Sequence, residues 1–323
     1  MSLKTLLAGA VALAILTATA GCSDDAPSIS TNAVSETTTP IETSMAAPVV
    51  SAFPREVLGV TVPAEPRKIV SASATHTEIL FALGAGDRII AVDLFSDYPA
   101  ETGEKEKIDA YNLNVEAVAA FDPDLVILSF DPGDAVAGLG ELGIPVILFS
   151  TPPETLQDAY AEMEEVGAAI GADEAAANLV AIIETEVSSI ISTIPPGDGD
   201  PPTYYHELGE DLYSITSSTF IGTIYSMVGL RNIADPADDY GFGYPQLSAE
   251  YILETDPDFI FLADTLCCGQ SASTLAERPG WDTLSAVQNG RVIELDDSVA
   301  SRWGPRIVEF LRTVATAVHN EDG

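Results

Sequence analysis

Residues 114–128, NVEAVAAFDPDLVIL, recur without a gap at residues 248–262 as SAEYILETDPDFIFL, an offset of 248 − 114 = 134. Each copy begins with a residue that caps helices, has a glutamate two places later, and continues as an apolar helical stretch. The proline of Asp-Pro-Asp ends this helix, because proline biases the residue before it away from helical geometry. The apolar runs at 125–128 and 259–262 predict buried strands of a parallel sheet.

The repeat extends to the next strand, since LGIPVILF at 142–149 matches NGRVIELD at 289–296. Strands that alternate with helices predict right-handed βαβ units. We therefore expect two similar parallel-sheet, Rossmann-like lobes, at residues 67–155 and 200–320. Ligands of open α/β sheets bind beyond the carboxyl ends of the strands, so a ligand cleft is expected between the lobes.

The segment between the lobes, residues 156–199, has apolar positions at helical spacing. Gly167 and Gly171 interrupt the pattern without a proline. The segment predicts one long rigid connecting helix or a helix pair, which would let the lobes open and close only a little.

The first residues carry one cation, Lys4, then an apolar stretch too short to span a bilayer, and end in Ala-Gly-Cys. Residues 1–21 resemble a lipoprotein signal peptide, with Cys22 acylated as the mature amino terminus. Alternatively, a signal peptide is cleaved further on and Cys22 is discarded. The segment 22–66, which is mostly rich in Ser, Thr and Pro, predicts a flexible tether.

The composition excludes one large class of function. The chain of 323 residues has 50 Asp and Glu against 13 Lys and Arg, a formal net charge of −37. Binding to a phosphate backbone depends on clustered Lys and Arg, so a nucleic-acid partner is excluded. A hydrophobic content of 46% is too high for a disordered acidic chain, which leaves a folded body with an acidic surface.

The two remaining cysteines, Cys267 and Cys268, are neighbours. In an oxidising compartment a free pair is not expected to persist. Adjacent Cα atoms lie about 3.8 Å apart, closer than in most disulfides, so a bridge between them would be strained. Such a ring is either a functional platform or a redox-labile feature.

Five segments together resemble the periplasmic-binding-protein family that delivers metal chelates (ferric siderophores, cobalamin, haem) to ABC importers. They are KIVSASATHTEILFALGAGDRIIAVD, FSDYPAE, NVEAVAAFDPDLVI, GYPQLSAEYILETDPDFIF and SVASRWGPRIVEFL, and they span about residues 66–318. The resemblance implies a monomeric, non-enzymatic, extracytoplasmic substrate-binding protein that needs no cofactor. It would be anchored by lipid to the outer face of the cell membrane and would deliver its chelate to a permease dimer. FSDYP and GYPQLS are most similar to the cobalamin-binding branch.

The resemblance also implies roles for residues. One exposed glutamate on each lobe of family members docks on permease arginines, and the matching positions are Glu116 and Glu250. Alternatively, a glutamate in a first helical turn only complements the helix dipole. Ligand contacts in the family come from loops at strand ends, and the matching residues here are Thr75, His76, Phe95, Tyr111, Asp131, His206, Tyr244, Asp264, Arg302 and Trp303. Tyr111 matches only approximately, because DAYNLNVE is shorter than the family's segment.

The distribution of cations indicates the charge of the ligand. No Lys or Arg occurs between Lys107 and Arg231, and Arg302 is the main candidate for a cation in the cleft. Anionic siderophores are commonly held by several arginines. We therefore expect a neutral or cationic chelate, or one with little net negative charge, of the cobalamin or ferric siderophore class.

Other functions stay open. Haem would need an axial ligand such as His76, His206 or Tyr111, whereas the histidines at 76, 206 and 319 lack the spacing of a free-metal site. An extracytoplasmic hydrolase would rest on His206 beside Glu207, because the sequence has no G-x-S-x-G, H-E-x-x-H or P-loop. A sensor or adhesion lipoprotein would bind a ligand without a permease.

Overall fold

The structure, a computed structural model, describes residues 53–197 and 199–319, and its first half alternates strands with helices. The elements are β1 (Arg55–Val57), β2 (Val60–Val62), β3 (Ile69–Ala72), α1 (Ala74–Ala82), β4 (Ile89–Asp93), β5 (Glu106–Ile108), α2 (Val115–Ala119), β6 (Leu125–Leu128), α3 (Ala135–Glu141) and β7 (Val146–Leu148). The strands β3 to β7 form a parallel sheet in the order β5-β4-β3-β6-β7. Because helices cover both of its faces, β3 and β6 are buried at every position.

Two helices follow the first sheet, α4 (Leu156–Ile170) and α5 (Asp173–Thr193). Of the two expected arrangements, one long helix or a pair, the structure has the pair. Gly171 ends α4 with a φ of 76°, a left-handed conformation that glycine adopts at little cost. Gly167 lets the helices approach, since a Cβ there would lie 2.4 Å from the Cβ of Ala176.

The second half repeats the alternation. Its elements are β8 (Thr203–Glu207), α6 (Phe220–Met227), β9 (Arg231–Asn232), α7 (Ala249–Thr255), β10 (Phe259–Leu262), α8 (Thr265–Cys268), α9 (Ala272–Ala276), α10 (Ser285–Gln288), β11 (Val292–Glu294), α11 (Asp297–Ser301) and α12 (Ile307–His319). The strands form a second parallel sheet in the order β11-β10-β8-β9. Short 3-10 helices lie at Gly86–Arg88, Ala100–Glu104, Pro132–Asp134, Asp235–Ala237 and Trp281–Thr283. The predicted fold of two similar parallel-sheet lobes is confirmed.

The repeated sequence forms the same local structure in both lobes. Asn114 Oδ1 accepts a hydrogen bond from the amide of Ala117 at 2.9 Å, which caps α2. Ser248 Oγ accepts from the amide of Tyr251 at 3.1 Å and caps α7 in the same way. The strands that follow, β6 and β10, are each buried throughout. The capped helices and buried strands predicted from the repeat are therefore confirmed.

The second aspartate of each Asp-Pro-Asp motif ties the repeat to a neighbouring strand. Asp124 Oδ2 accepts hydrogen bonds from the amides of Arg67 and Lys68, at 2.8 and 3.0 Å, just before β3. Asp258 Oδ2 accepts from the amide and hydroxyl of Thr203, at 2.7 and 2.9 Å, where β8 begins. These carboxylates satisfy polar groups at the starts of strands and fix the position of the motif in each lobe.

One hydrophobic core runs through both lobes. It joins the inward faces of the two sheets, represented by Ile127 and Phe261, to buried side chains of α4, α5 and α12. The helix α5 is long and apolar enough to cross a membrane by length and composition, but Val180, Ile183 and Val187 on one of its faces are buried in this core. The lobes are therefore packed on shared helices.

The predicted tether, 22–66, is too long at its carboxyl end. The strands β1 and β2 pair as an antiparallel hairpin, and Val57 and Val62 of that hairpin are buried in the core. Side chains of a strand point alternately to its two faces, so the apolar residues of this hairpin lie on one face and pack on the core. The Ser/Thr/Pro-rich sequence before the hairpin has no such alternation. The predicted signal peptide, Cys22 and the tether before residue 53 lie outside the described residues.

Candidate ligand-binding cleft

A cavity of about 640 Å³ lies between the lobes, at the carboxyl ends of the parallel strands. Its walls come from the loops after β3, β4, β5 and β6 in the first lobe and from the segments after β10 and β11 in the second. This is where open α/β sheets bind their ligands, and the volume is in the range of small-molecule sites. Several predicted contact residues line it, namely Thr75, Phe95, Tyr111, Arg302 and Trp303.

The first lobe contributes a chain of aromatic rings. Phe95 and Tyr111 meet edge to face, with ring centroids 5.9 Å apart, and Tyr111 continues to Phe130 at 5.1 Å. Tyr111 is 65% exposed, so its ring is available to a ligand. Phe130 was missed in the sequence, although it lies in the loop that follows β6, where cleft residues are expected. Aromatic rings offer large contact area to a flat ligand with little loss of conformational entropy.

Among the described residues, Arg302 is the one basic side chain on the cavity wall, and both terminal nitrogens of its guanidinium are hydrogen-bonded. It donates to Glu78 Oε1 at 2.8 Å, to Asp97 Oδ1 at 2.6 Å and to the carbonyl of Phe95 at 2.8 Å. Glu78 also binds Arg306 through both carboxylate oxygens, at 2.9 and 2.7 Å. Two arginines of the second lobe thus pair with two carboxylates of the first, and the group is neutral.

The pKa shifts of Asp97 and Arg306 indicate that the carboxylates and guanidinium groups of these ion pairs are charged. Burial opposes the charge of Asp97, but hydrogen bonds from Arg302 and Ser298 outweigh it and hold the pKa of Asp97 below its ordinary value. Burial also opposes the charge of Arg306, yet its bonds to Glu78 raise its pKa above that of a free arginine. The charges therefore compensate one another inside the protein.

A second bridge between the lobes corrects the prediction for His76. Its side chain is fully buried, stacks on Phe149 at 4.4 Å, and places Nε2 2.7 Å from Glu162 Oε1 on α4. The same oxygen accepts the indole N–H of Trp303 at 2.7 Å. His76 does not line the cavity, because the first turn of α1 directs it into the packed core. Trp303 does line it, with its polar edge held by Glu162.

His206 is also corrected. The strand β8 is buried at every position, and His206 points into the core, where Nδ1 lies 2.8 Å from the hydroxyl of Tyr225. Burial lowers its pKa to about 3, so the imidazole is neutral. It can neither contact a ligand in the cavity nor act as an axial ligand there.

Asp264 follows β10 and is fully buried, so it does not line the cavity with the other predicted contacts. It belongs to a polar cluster under the cleft in which Arg278 donates to both carboxylate oxygens of Glu207, at 2.7 and 2.6 Å. Burial and then the charge of Glu207 raise the pKa of Asp264 to about 7. The cluster is a feature of the second lobe's interior.

Two predicted contacts lie at the surface and away from the cavity wall. Tyr244 is half exposed and comes shortly after Tyr240 and Phe242 in the sequence, whose rings are also exposed. Asp131 is exposed and accepts a hydrogen bond from the amide of Val136 at 3.0 Å, at the start of α3. Neither is among the described residues that form the cavity.

The segment after β10 supplies the second lobe's apolar wall. Cys267 and Cys268 are joined by a disulfide, and Cys267 lines the cavity together with Leu266. Asp297 holds this segment from below, since its carboxylate accepts the amides of Thr265, Leu266 and Cys267 at 2.9, 3.1 and 2.7 Å. Leu266 and Asp297 were missed; the available signal was their place in the short segments that follow β10 and β11.

The two predicted docking glutamates occupy equivalent positions. Glu116 lies in the first turn of α2 and Glu250 in the first turn of α7, and both side chains are exposed. The internal repeat therefore presents one carboxylate from each lobe to the outside.

Fold and site define a class of protein: a two-lobed α/β binding protein with its ligand cleft between lobes that share rigid helices. The chain matches the sequence profile described as "Periplasmic binding protein" over residues 69–299. It is 30% identical over 267 residues to the uncharacterized ABC transporter substrate-binding lipoprotein YvrC of Bacillus subtilis strain 168, covering 80% of this chain and 82% of YvrC. It is 29% identical to a cobalamin-binding protein of Halobacterium salinarum, covering 81% and 72% of the two chains.

A solved structure has the same architecture. The periplasmic heme-binding protein RhuT from Roseiflexus sp. RS-1, in apo form, is 25% identical with a TM-score of 0.69, covering 79% of this chain and 98% of RhuT. The chain belongs to the periplasmic binding protein family. It is a substrate-binding protein of the ABC-transporter type and not an enzyme.

Proposed function

We propose that this protein captures a neutral or cationic metal chelate, of the cobalamin or ferric siderophore class, and delivers it to the permease of an ABC importer. The observation that carries the proposal is the 640 Å³ cavity, with an aromatic chain on one wall and a self-neutralised arginine on the other. The cobalamin-binding relative supports the choice of chelate.

The charge of the ligand follows from the partners of each charged group on the wall. Arg302 is paired with Glu78 and Asp97, and Asp297 is occupied by backbone amides. Asp93 accepts the amide of Phe95 at 2.8 Å and the hydroxyl of Ser96. A polyanion would therefore find acidic surroundings without a free cation, whereas a neutral macrocycle would meet rings and apolar side chains.

Calorimetry with three chelates tests this. The full-length chain in detergent is titrated with cyanocobalamin, with a cationic ferric tris-hydroxamate and with an anionic ferric tris-catecholate. We expect micromolar or tighter binding of one of the first two and none of the third. Tight binding of the catecholate would contradict the proposed ligand charge, and no binding of any of the three would contradict the function.

We place the contact with the permease at Glu116 and Glu250. A pair of exposed carboxylates on two similar lobes suits a two-fold partner with arginines, because two directional pairs fix orientation. Glu116→Ala with Glu250→Ala should leave chelate affinity unchanged and abolish chelate uptake by cells. Glu141→Ala with Glu254→Ala, which removes two exposed glutamates from the same lobes, is the matched control and should leave uptake unchanged. If the first variant loses chelate affinity instead, the docking role is wrong.

Haem is the second candidate, because the RhuT structure shares the fold. In the described cleft, Tyr111 is the one predicted axial group that remains on the wall, since His76 and His206 are buried. Haemin should then give a visible absorbance band that Tyr111→Phe shifts. If haemin with the wild-type chain gives the same spectrum as free haemin, this candidate is removed.

Anchoring by lipid at Cys22 completes the proposal, and the YvrC relative is named a lipoprotein. Cells fed a labelled fatty acid should label the wild-type chain and leave Cys22→Ala unlabelled. Equal labelling of both chains would place the lipid elsewhere.

A further inference from the structure

The disulfide-closed segment Leu266–Cys268 stands in the cleft without a counterpart in the first lobe. Leu266 is 70% exposed, and both cysteines are exposed beside it. Leu266 and Cys267 lie on the cavity wall, in the lobe opposite Phe95, Tyr111 and Phe130. A large apolar side chain beside an apolar disulfide, on the wall of a cavity, is a surface suited to contact with an apolar ligand face.

The segment is held rigidly at both ends. Asp297 accepts three successive amides, and the hydroxyl of Thr265 donates to the carbonyl of Leu295 at 2.6 Å. At the other end, Gly269 has a φ of 73° and its amide donates to the carbonyl of Thr265 at 3.0 Å. The disulfide closes a small ring through the peptide bond between its cysteines. A surface fixed in advance loses little conformational freedom when a ligand binds.

We infer that Leu266 and the Cys267–Cys268 disulfide form the second lobe's contact surface for the chelate, so that a flat ligand is held between this surface and the first lobe's rings. The inference rests on the proposed function and deepens it. Asp297 is a positioning residue, which acts by holding the backbone of the segment. His206 and Asp264 are excluded from this surface by their burial.

The test uses the full-length chain with Cys22→Ser in every sample, so that Cys267 and Cys268 are the only cysteines left. The probes are cyanocobalamin, haemin and a ferric tris-hydroxamate, and the measurement is the dissociation constant of whichever the chain binds. Leu266→Ala should weaken binding about tenfold through lost apolar contact. The matched control, Leu142→Ala, removes an exposed leucine away from the cavity and should change nothing.

The disulfide is tested by reduction with a phosphine. The phosphine takes oxygen from water to become its oxide, the S–S bond breaks, and two thiols form, which a thiol reagent counts. In the chain that retains both cysteines, reduction should weaken binding several-fold. The double variant Cys267→Ser with Cys268→Ser should bind as weakly before any reduction, and the phosphine should not change its affinity. Circular dichroism melting checks that each variant is folded.

The outcomes separate two failures. If a probe binds and Phe95→Ala weakens it, while Leu266→Ala and reduction leave the dissociation constant unchanged, the cleft is correct and the second-lobe surface is wrong. If none of the probes binds the chain with both cysteines, the proposed function fails and this inference fails with it.

Discussion

The two lobes are built from one repeated unit, yet they offer the cavity different chemistry. The first presents the ring chain of Phe95, Tyr111 and Phe130, whereas the second presents an exposed leucine and a disulfide beside Arg302 and Trp303. The repeat is faithful from the helix cap through the buried strand, is interrupted where that strand reaches the cavity, and resumes at the next strand. Strand and cap residues satisfy the same packing and hydrogen bonds in both lobes. Residues beyond the strand ends are free of those requirements, and there the lobes differ.

Removing an ion pair between the lobes is the strongest test of how far the stability of one lobe depends on the other. Glu78→Ala leaves the buried guanidinium groups of Arg302 and Arg306 without their shared partner. We expect the free energy of unfolding to fall by about 3 to 5 kcal/mol, as for other broken buried ion pairs. Urea denaturation followed by circular dichroism measures it.

The control is a pair on the surface. Glu186 and Arg312 lie 3.0 Å apart with both side chains about half exposed, so Glu186→Ala should cost less than about 1 kcal/mol. Equal losses for the two variants would mean that the interlobe bridge adds nothing beyond a surface pair.

The aromatic wall tests whether the first lobe's rings bind ligand. Tyr111→Ala should weaken binding of the chelate found in the panel by about 2 kcal/mol, roughly 30-fold, because it removes the central ring. Tyr240→Ala removes a tyrosine of the second lobe that is 83% exposed and lies off the cavity wall, and should have no effect. If Tyr240→Ala is the more damaging variant, the lobes have been assigned the wrong roles.

A smaller effect on stability should distinguish the buried aspartates in the interiors of the two lobes. The folded pKa of Asp264, about 7, is above the ordinary 3.8, so the folded state holds a proton that the unfolded state releases. The stability due to this proton is full below the unfolded pKa and is lost as pH rises through about 7. Asp264→Asn should therefore stabilise the protein by about 1 to 2 kcal/mol at pH 8 and by less at pH 5.

Denaturation at both pH values measures this, with Asp93→Asn as the matched change in the first lobe. Asp93 is buried but accepts hydrogen bonds from Phe95 and Ser96, so its amide variant should lose stability. A gain for Asp93→Asn, or a loss for Asp264→Asn at pH 8, would refute the contrast between the two interiors.

The fold could be predicted because the repeat contains its own signals. Asn114 and Ser248 start helices, the Asp-Pro-Asp motifs end them, and the strands that follow are uniformly apolar. The hairpin before β3 was missed because its strands have only three residues each, too few for alternation to stand out from the tether.

The site could be predicted only in part, for a physical reason. A parallel strand covered on both faces has no alternation of polar and apolar residues, so nothing in the sequence shows that His206 faces Tyr225 in the core. The orientation of His76 was equally unpredictable. His76 follows β3 by one helical turn, and only its contact with Glu162 on α4 shows that its side chain points into the core. Tyr111 and Arg302 were predicted from the resemblance to the family; Tyr111 lies in the loop after β5, and Arg302 follows α11.

The hydrophobic core that crosses both lobes has a consequence for the evolution of the sequence as well as for binding. Side chains of α4, α5 and α12 belong to the same hydrophobic core as the inward faces of both sheets, so neither half contains this core alone. The protein should melt in a single cooperative transition, and either half expressed alone should expose that apolar face and aggregate. A destabilising substitution in one half therefore lowers the free energy of unfolding of the whole protein. The sequences of the two halves can accordingly diverge most freely in the loops that line the cleft.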